Sequence, residues 1–379
     1  MRPLRLCIVI TGLGMGGAEH ALLQLLSRFD PARVAVRLIV LGREDALADR
    51  FRAAGIEPEF LGLKPGSWPF AEIGRFLAAV RATGADLLQG WMYHGNLAAS
   101  FAGARLGLPV CWSVRDTPDA AHGHSRFTRA TIALSRWYVG RTLRIFNVSR
   151  RSADYCASAL GWPADRIEVL PNGIDVARFR PDVEARARLR DQLGIAPSSP
   201  VVGMVARYAP VKDHPLFVAA AERLRQVLPD ARFILVGKGC ELKNEVLASL
   251  LRQTELEGAV SLLGARHDVE AIVPAFDVAA LTSRSEGFPN VLAEAMACGV
   301  PVVSTDVGDA KEIIGCSGLI ADRSPEALAA AWLSLLQAPD CALRAHDARE
   351  HILPRYALEG IADRLQARYV DLLAAARKA

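Results

Sequence analysis

Two glutamates, Glu286 and Glu294, flank the segment of this chain that is best suited to bind a ligand. The apolar run Val278 to Leu281 predicts a buried strand, and Gly287 to Asn290 would then lead into a short helix with free backbone N–H groups. Such groups favour a phosphate. With a carboxylate before the helix and another inside it, the segment suits a nucleotide sugar, one glutamate for the ribose and one for the sugar ring. The alternative is that both are solvated helix-surface charges.

Two cations follow a second predicted strand, Val201 to Ala206. Arg207 and Lys212 stand just past its end, where arginine can bind a phosphate bidentately and lysine supplies a compact positive charge. Together they would neutralise a departing diphosphate. Surface solvation is the alternative for either residue.

A histidine, His94, follows the predicted strand Leu87 to Trp91 and has a glycine beside it. The carboxyl end of a parallel strand is where α/β proteins bind ligands, so His94 is a candidate contact to a sugar. A lone histidine is more often structural. The pair Arg115-Asp116 ends the next strand, either as a ligand contact or as a local salt bridge.

The glycines between Gly12 and Gly17 satisfy the pattern G-x-G-x-x-G after a first strand, Arg5 to Thr11. A dinucleotide site would also need an acid about 20 residues further on. The second predicted strand, Val34 to Leu41, ends in Gly42-Arg43 instead, which argues against a dinucleotide.

The alternation of predicted strands and helices indicates an α/β protein. Its 379 residues exceed what one hydrophobic core usually supports, so two domains are expected. Further strands are predicted by apolar runs at Phe60 to Leu63, Val110 to Val114, Ile145 to Val148, Arg232 to Gly237, Val260 to Gly264 and Pro301 to Thr305. The last stretch, Tyr356 to Ala379, has apolar residues at helical spacing.

Composition narrows the class of protein further. Hydrophobic residues make up 51% of the chain, yet no apolar run is long enough to span a bilayer. Seven scattered cysteines predict reduced core thiols and a cytoplasmic location, and they form no zinc motif. No nucleic-acid-binding module is present.

An arginine-rich segment, Ala120 to Ala153, contains seven arginines and no Asp or Glu. Aromatic residues lie among them, so contact with an anionic membrane is one hypothesis. A solvated helix face is the other.

The segment from Glu286, with Gly-Phe-Pro-Asn and the later Cys298-Gly299-Val300-Pro301, resembles the signature of the retaining glycosyltransferases of family 4. Gly16-Gly17-Ala18-Glu19 resembles the family's amino-terminal glycine loop, and His94-Gly95-Asn96 its active-site histidine region. The resemblance implies the GT-B fold, with two Rossmann-like domains, a cleft between them and a carboxyl-terminal helix that crosses back. The corresponding ranges are 1–180 for an acceptor-side domain, 181–355 for a nucleotide-sugar domain and 356–379 for the helix.

The resemblance also implies roles for individual residues. The catalytic ones would be His94, Arg207, Lys212 and Glu286. The donor-binding ones would be Gly16, Gly17, Arg266, Gly287, Phe288, Pro289, Asn290 and Glu294. No cofactor or metal is expected, and the chain contains no Asp-x-Asp motif.

The implied activity is transfer of a hexose or N-acetylhexosamine, with retention, from a nucleotide diphosphate sugar, UDP being favoured. The acceptor would be a hydroxyl of a glycan or lipid-linked molecule in cell-surface polysaccharide or lipopolysaccharide synthesis. This would place the protein in the cytoplasm, with peripheral binding to the inner face of the cytoplasmic membrane if the arginine-rich segment docks there. The alternatives are an epimerase acting on a nucleotide sugar and a donor-binding subunit without turnover.

Overall fold

The computed structural model describes residues 2–63, 70–116, 125–256, 258–338 and 341–378, so the first part of the arginine-rich segment, 120–124, lies outside the described residues. The chain divides into two compact units. The first contains Met1–Gly173 and Leu358–Ala379, and the second contains Ile174–Ala357.

The first unit is built on a seven-stranded parallel sheet in the order β3-β2-β1-β4-β5-β6-β7. Its strands are β1 Leu4–Ile10, β2 Val34–Val40, β3 Pro58–Phe60, β4 Leu87–Trp91, β5 Val110–Val114, β6 Arg144–Asn147 and β7 Ile167–Val169. The central strands are buried on both faces, which is why they read as continuous apolar runs. The third strand ends at Phe60, earlier than predicted, because Gly62 turns the chain at φ +69°.

In the described ranges, six α-helices connect these strands. They are α1 Gly17–Leu26, α2 Ala48–Ala53, α3 Phe70–Ala82, α4 Met92–Leu106, α5 Arg126–Val139 and α6 Arg150–Ser158. Helix α4 packs very closely on the sheet, since a Cβ on Gly95 would collide with the Val9 carbonyl oxygen. Asn96 holds the same helix to β5 by exchanging hydrogen bonds of 3.1 and 3.2 Å with the backbone of Ser113.

The second unit contains a six-stranded parallel sheet in the order β10-β9-β8-β11-β12-β13. Its strands are β8 Val201–Val205, β9 Arg232–Val236, β10 Val260–Leu262, β11 Val278–Leu281, β12 Val302–Ser304 and β13 Leu319–Ile320. Its helices are α7 Val183–Gln192, α8 His214–Val227, α9 Glu245–Arg252, α10 Val269–Ile272, α11 Asn290–Ala297, α12 Ala310–Ile314, α13 Pro325–Leu336 and α14 Cys341–Tyr356. The alternation of strands and helices predicted from the sequence is therefore confirmed in both units.

The last helix, α15, spans Leu358–Ala376 and belongs to the first unit. Its buried face includes Tyr369, whose hydroxyl donates a 3.0 Å hydrogen bond to Gln89 of β4. Arg368 forms a 2.7 Å ion pair with Glu168 of β7. The helix thus closes one face of the seven-stranded sheet.

Free thiols are found at each cysteine whose side chain the structure describes. All of these are buried except Cys316, which is exposed and so departs from the predicted core position. Within the described part of the chain, no helix is both long and apolar enough to cross a membrane.

Candidate active site

Lys212 and Glu286 meet at the carboxyl edge of the second sheet. Lys212 ends a short 3₁₀ turn, Pro210–Lys212, after β8, and Glu286 follows β11. Because β8 and β11 are parallel neighbours, their ends lie on the same edge. The Lys212 Nζ lies 2.5 Å from Glu286 Oε1, and the Ser283 hydroxyl donates to the same oxygen at 2.6 Å. The side chains of Lys212 and Glu286 are only 20% and 13% exposed, so their charges are held in a partly desolvated position.

Asp213 shapes the turn that carries Lys212. It adopts a left-handed conformation, φ +53°, which is unusual for a residue with a side chain. Its buried carboxylate accepts a 2.5 Å hydrogen bond from Arg323 and lies 3.1 Å from Arg284 Nε. The Thr282 hydroxyl donates to the Lys212 carbonyl at 2.9 Å. The loops that follow β11 and β13 therefore fix the turn that carries Lys212.

The amino terminus of α11 lies beside Glu286. Pro289 is the N-cap residue and makes no side-chain cap hydrogen bond, and Asn290 is the first helical residue. Gly308, at φ +51°, lets its backbone approach the carbonyls of Glu286 and Gly287. The Asn290 N–H donates a 2.9 Å hydrogen bond to the Phe288 carbonyl, so the helix start attracts an anion through the positive end of the helix dipole.

Aromatic packing and an arginine support α11 from the sides. The buried Phe288 ring lies 5.6 Å from Tyr356. At the other end, Arg349 donates hydrogen bonds to the carbonyls of Ala297 and Phe179, the latter at 3.1 Å. A cation at a helix carboxyl terminus is favourable both for the unsatisfied carbonyls and for the helix dipole.

Glu294, inside α11, is a half-buried carboxyl with an altered acidity. Burial raises its pKa to about 7, with Arg178 lowering it and Glu270 raising it further. Arg178 itself donates a 2.7 Å hydrogen bond to Glu270 and a 2.9 Å bond to the carbonyl of His267. This brings the loop around His267 near the Glu294 end of the helix. A carboxyl that titrates near neutral pH and lies among polar groups is a candidate acceptor for ligand hydroxyls.

Arg266 and Arg207 occupy more exposed positions. Arg266 forms a two-point ion pair with Asp268, at 2.8 and 2.5 Å, so it is already engaged in this structure. Arg207 is exposed, and within the described ranges no side chain forms an ion pair with it. Its neighbour Tyr208 is held by a 2.8 Å backbone bond to Lys238, where the loop after β9 approaches closely.

In the first unit, Gly16 caps α1 and Gly17 begins it. The Glu19 side chain folds back on the helix start so closely that a Cβ on Gly16 would collide with its carboxylate. Burial raises the pKa of Glu19. The Gly16 carbonyl lies 2.9 Å from His20 Nδ1. This glycine loop is therefore already occupied by its own acidic side chain.

His94 lies in the first turn of α4, which begins directly after the carboxyl end of β4, the place the sequence predicted for it. Met92, at φ +64°, turns the chain directly from β4 into the helix. The His94 ring stacks on Phe127 with 5.1 Å between centroids and 16° between planes. Its buried Nε2 has no hydrogen-bond partner within the part of the chain that the structure describes. Burial lowers the pKa of His94 and thus favours the neutral ring.

Arg115 and Asp116 do not pair with each other. Arg115 is buried, donates 2.8 Å hydrogen bonds to Ser113 Oγ and to the Leu170 carbonyl, and lies over the Trp91 ring. Burial lowers its pKa to about 10. Asp116 instead accepts a 2.6 Å hydrogen bond from a tyrosine of α4. Arg115 therefore links two strands and a loop.

The two units match two models of known families. Residues 15–178 match the model described as Glycosyltransferase Family 4, and residues 199–338 match the one described as Glycosyl transferases group 1. A GDP-mannose-dependent alpha-(1-6)-phosphatidylinositol monomannoside mannosyltransferase of Mycolicibacterium smegmatis is 33% identical over 280 residues, 69% of this chain and 70% of that protein. The chain belongs to glycosyltransferase family 4.

Other relatives differ in the extent of the match. A UDP-Gal:alpha-D-GlcNAc-diphosphoundecaprenol alpha-1,3-galactosyltransferase of Escherichia coli is 31% identical over 168 residues, 44% of this chain and 43% of that protein. The chain thus matches about half the length of several curated relatives. The crystal structure of Anabaena Alr3699/HepE in complex with UDP and glucose has a TM-score of 0.82 at 22% identity, covering 97% of this chain and 99% of that one. This likeness shows the GT-B fold of the family 4 glycosyltransferase.

Several residues that shape the site of this family 4 glycosyltransferase were not singled out from the sequence. They are Asp213, Arg284, Arg323, Arg178 and Glu270. One signal was available, because Asp213 follows Lys212 directly and precedes the helix-starting His214-Pro215. The arginines carry no such local signal, since their partners are distant in sequence.

Proposed function

We propose that this glycosyltransferase moves a hexose or N-acetylhexosamine from a nucleotide diphosphate sugar to a hydroxyl, with retention of configuration. The observation that carries the proposal is the partly buried Lys212–Glu286 pair at the start of α11. In the reaction, the bond from C1 of the sugar to the diphosphate breaks and a bond to the acceptor oxygen forms, while the acceptor loses its proton.

Each residue has a proposed role in that step. Lys212 and Arg207 stabilise the negative charge that develops on the departing diphosphate, where preorganised cations contribute most. Glu286 accepts hydrogen bonds from the sugar hydroxyls, and Glu294 from the ribose. His94 of the first unit contacts the transferred sugar.

The remaining donor contacts are proposed to be mainly backbone. Gly287, Phe288, Pro289 and Asn290 surround the phosphates at the start of α11, where the helix dipole favours an anion. The loop of Arg266 lies near the base, and Gly16 and Gly17 approach the diphosphate. No set of three or more potential metal ligands occurs in the described ranges, and the proposed charge stabilisation uses cationic side chains.

The names of the relatives support a choice of donor and acceptor. They specify GDP-mannose in one case and a UDP-galactose with a diphosphoundecaprenol acceptor in another. We therefore propose a UDP-sugar as the first donor to test and GDP-mannose as the second. The acceptor is a glycan or lipid-linked molecule of a cell-surface polysaccharide pathway.

Membrane contact is proposed for the described part of the arginine-rich segment. Helix α5 exposes arginines beside exposed apolar side chains, a combination that favours anionic lipid surfaces. Sedimentation with vesicles tests it: binding to anionic vesicles should weaken with added salt, because the Debye length is only about 8 Å at physiological ionic strength. Equal binding to neutral and anionic vesicles at low salt would show that the arginines are simply solvated.

A donor screen followed by product analysis tests the proposed activity. Nucleotide sugars that bind the native state raise the melting temperature, and the amount grows with affinity. The best donor is then incubated with and without acceptors. A glycosylated acceptor supports transfer, a new nucleotide sugar without acceptor indicates an epimerase, and binding without either product indicates a donor-binding subunit.

A further inference from the structure

The first unit contains an apolar groove to which the proposed donor site assigns no role. Its volume is about 530 Å³, and its walls come from α3, α4 and α5. The principal lining residues are Ile73, Leu97, Phe101, Phe127, Leu134 and Trp137. This volume falls within the range of roughly 300–1,000 Å³ that is typical of small-molecule sites.

Helix α5 leaves large apolar side chains uncovered at the groove. Trp137 is 68% exposed and Leu134 is 53% exposed. Phe127, Ala130, Leu134 and Trp137 follow one another at spacings of three or four residues, so they form a single stripe along the helix. An uncovered apolar stripe that lines a concave groove is characteristic of a binding surface.

The groove adjoins His94 through Phe127. Phe127, which lines it, stacks on the His94 ring with 5.1 Å between centroids. Leu97, another lining residue, lies three positions after His94 on the same face of α4. A molecule that fills the groove would therefore contact the Phe127 ring that stacks on the histidine proposed to contact the transferred sugar.

Positive charge surrounds the apolar stripe. Four exposed arginines of α5 and the turn after it have no acidic partner in the described part of the chain: Arg126, Arg129, Arg136 and Arg141. An apolar groove beside unpaired guanidinium groups is complementary to an amphiphile that has a hydrocarbon chain and a phosphate. Arginine suits phosphate because its planar donors bind it bidentately.

We propose that this groove binds the hydrocarbon chain of a phosphate-bearing lipid acceptor. Arg126 and Arg129, at the Phe127 end of α5, hold the phosphate, and the chain extends along Leu134 and Trp137, so that the acceptor's sugar lies toward His94. This inference rests on the proposed function and specifies its acceptor class. It assigns specificity for lipid-linked over free glycan acceptors to the first unit.

Chain-length dependence tests the proposal. Calorimetry on the full chain would compare inorganic phosphate with isoprenyl monophosphates of five, ten and fifteen carbons, all below their micelle-forming concentrations. Burial of a methylene corresponds to about fourfold in affinity, so partial burial of ten additional carbons should tighten binding at least about tenfold from the shortest to the longest chain. Affinity that does not change with chain length would overturn the proposal.

Matched variants locate the binding. The double variant Leu134→Ser with Trp137→Ser should lose the chain-length dependence and keep its melting temperature, since both side chains are already largely exposed. The control variants Val183→Ser and Leu242→Ser remove apolar side chains of the second unit that are 80% and 76% exposed. They should leave the chain-length dependence of binding unchanged. Chain-length dependence that survives the double variant, or that disappears equally in the controls, would exclude the groove.

The arginines have their own test. Arg126→Gln with Arg129→Gln should weaken the binding of all the monophosphates by a similar factor, whereas Arg81→Gln, at an exposed arginine of α3, should not. Nucleoside diphosphate binding is measured on each preparation. If lipid binding shows no dependence on chain length but nucleotide binding is intact, the groove proposal is refuted and the proposed function is not. Chain-dependent binding without nucleotide binding or transfer would refute the proposed function and retain the groove.

Discussion

Titration of Glu294 gives the strongest prediction about donor binding. Burial raises the pKa of this carboxyl to about 7, so about a tenth of it is ionised at pH 6 and about nine-tenths at pH 8. If the ionised carboxylate accepts hydrogen bonds from the ribose hydroxyls, the apparent affinity scales with the ionised fraction. Nucleotide binding should therefore be about tenfold weaker at pH 6 than at pH 8.

Calorimetry on two ligands isolates this effect. The phosphates of the nucleotide also titrate near pH 6, but a nucleoside diphosphate and its 2′-deoxy analogue share that change. The affinity for the nucleoside diphosphate divided by that for its 2′-deoxy analogue should increase from pH 6 to pH 8 in the wild type. In Glu294→Gln this ratio should not change with pH. The variant should also bind the ribonucleotide more weakly at pH 8, by about 1–3 kcal/mol for a lost buried hydrogen bond. A flat ratio in the wild type would refute the ribose assignment.

Stability provides an independent control on the same carboxyl. Its folded pKa, about 7, lies above its ordinary value of 4.5, so the folded state binds the proton more tightly. The associated stability is complete below about pH 4.5 and is lost as the pH rises through 7. A shift of this size corresponds to at most about 3 kcal/mol, and less for a half-buried group. Glu294→Gln should then be more stable than the wild type at pH 8 and similar at pH 4.5, as measured by urea unfolding.

Three further variants test other parts of the structure. Lys212→Ala should lower kcat by about 10²–10³-fold in a transfer assay at saturating donor, because a preorganised cation is lost. The control Lys243→Ala, at a side chain that is 83% exposed, should leave kcat unchanged. His94→Ala should reduce transfer yet leave nucleotide affinity and melting unchanged; early melting with normal transfer would make His94 structural. Arg349→Met should destabilise the protein by about 2–3 kcal/mol in urea unfolding, since charged hydrogen bonds to the end of α11 are lost; an unchanged midpoint would contradict that assignment.

The fold was largely predictable because parallel strands buried on both faces are continuous apolar runs. The predicted limits of β4, β5 and β11 agree with the structure to the residue. The immediate start of α4 after β4 was not predicted, because it depends on one backbone angle. Met92 adopts a left-handed conformation that is rare for a side-chain-bearing residue, so His94 follows the strand end within a helix.

The site was less predictable, because its residues come together through sheet order and not through sequence spacing. Lys212 and Glu286 are 74 residues apart, and each could be assigned only to the end of a strand. Their contact follows from β8 and β11 being neighbours in the sheet. Local sequence does not specify that order, so family resemblance was needed to associate the two residues.

The raised pKa of Glu294 could not be predicted from the sequence, because it depends on burial and on which charged groups lie nearby. Glutamate is usually solvated and ionised at neutral pH. Here α11 carries its carboxyl into a partly buried position, where the nearest cation, Arg178, is engaged by Glu270. Because Arg178 divides its charge between two carboxyls, it does not offset the cost of burying Glu294. A ligand that donates hydroxyl hydrogen bonds to this carboxylate would provide the missing stabilisation, so donor binding itself should release a proton near pH 7.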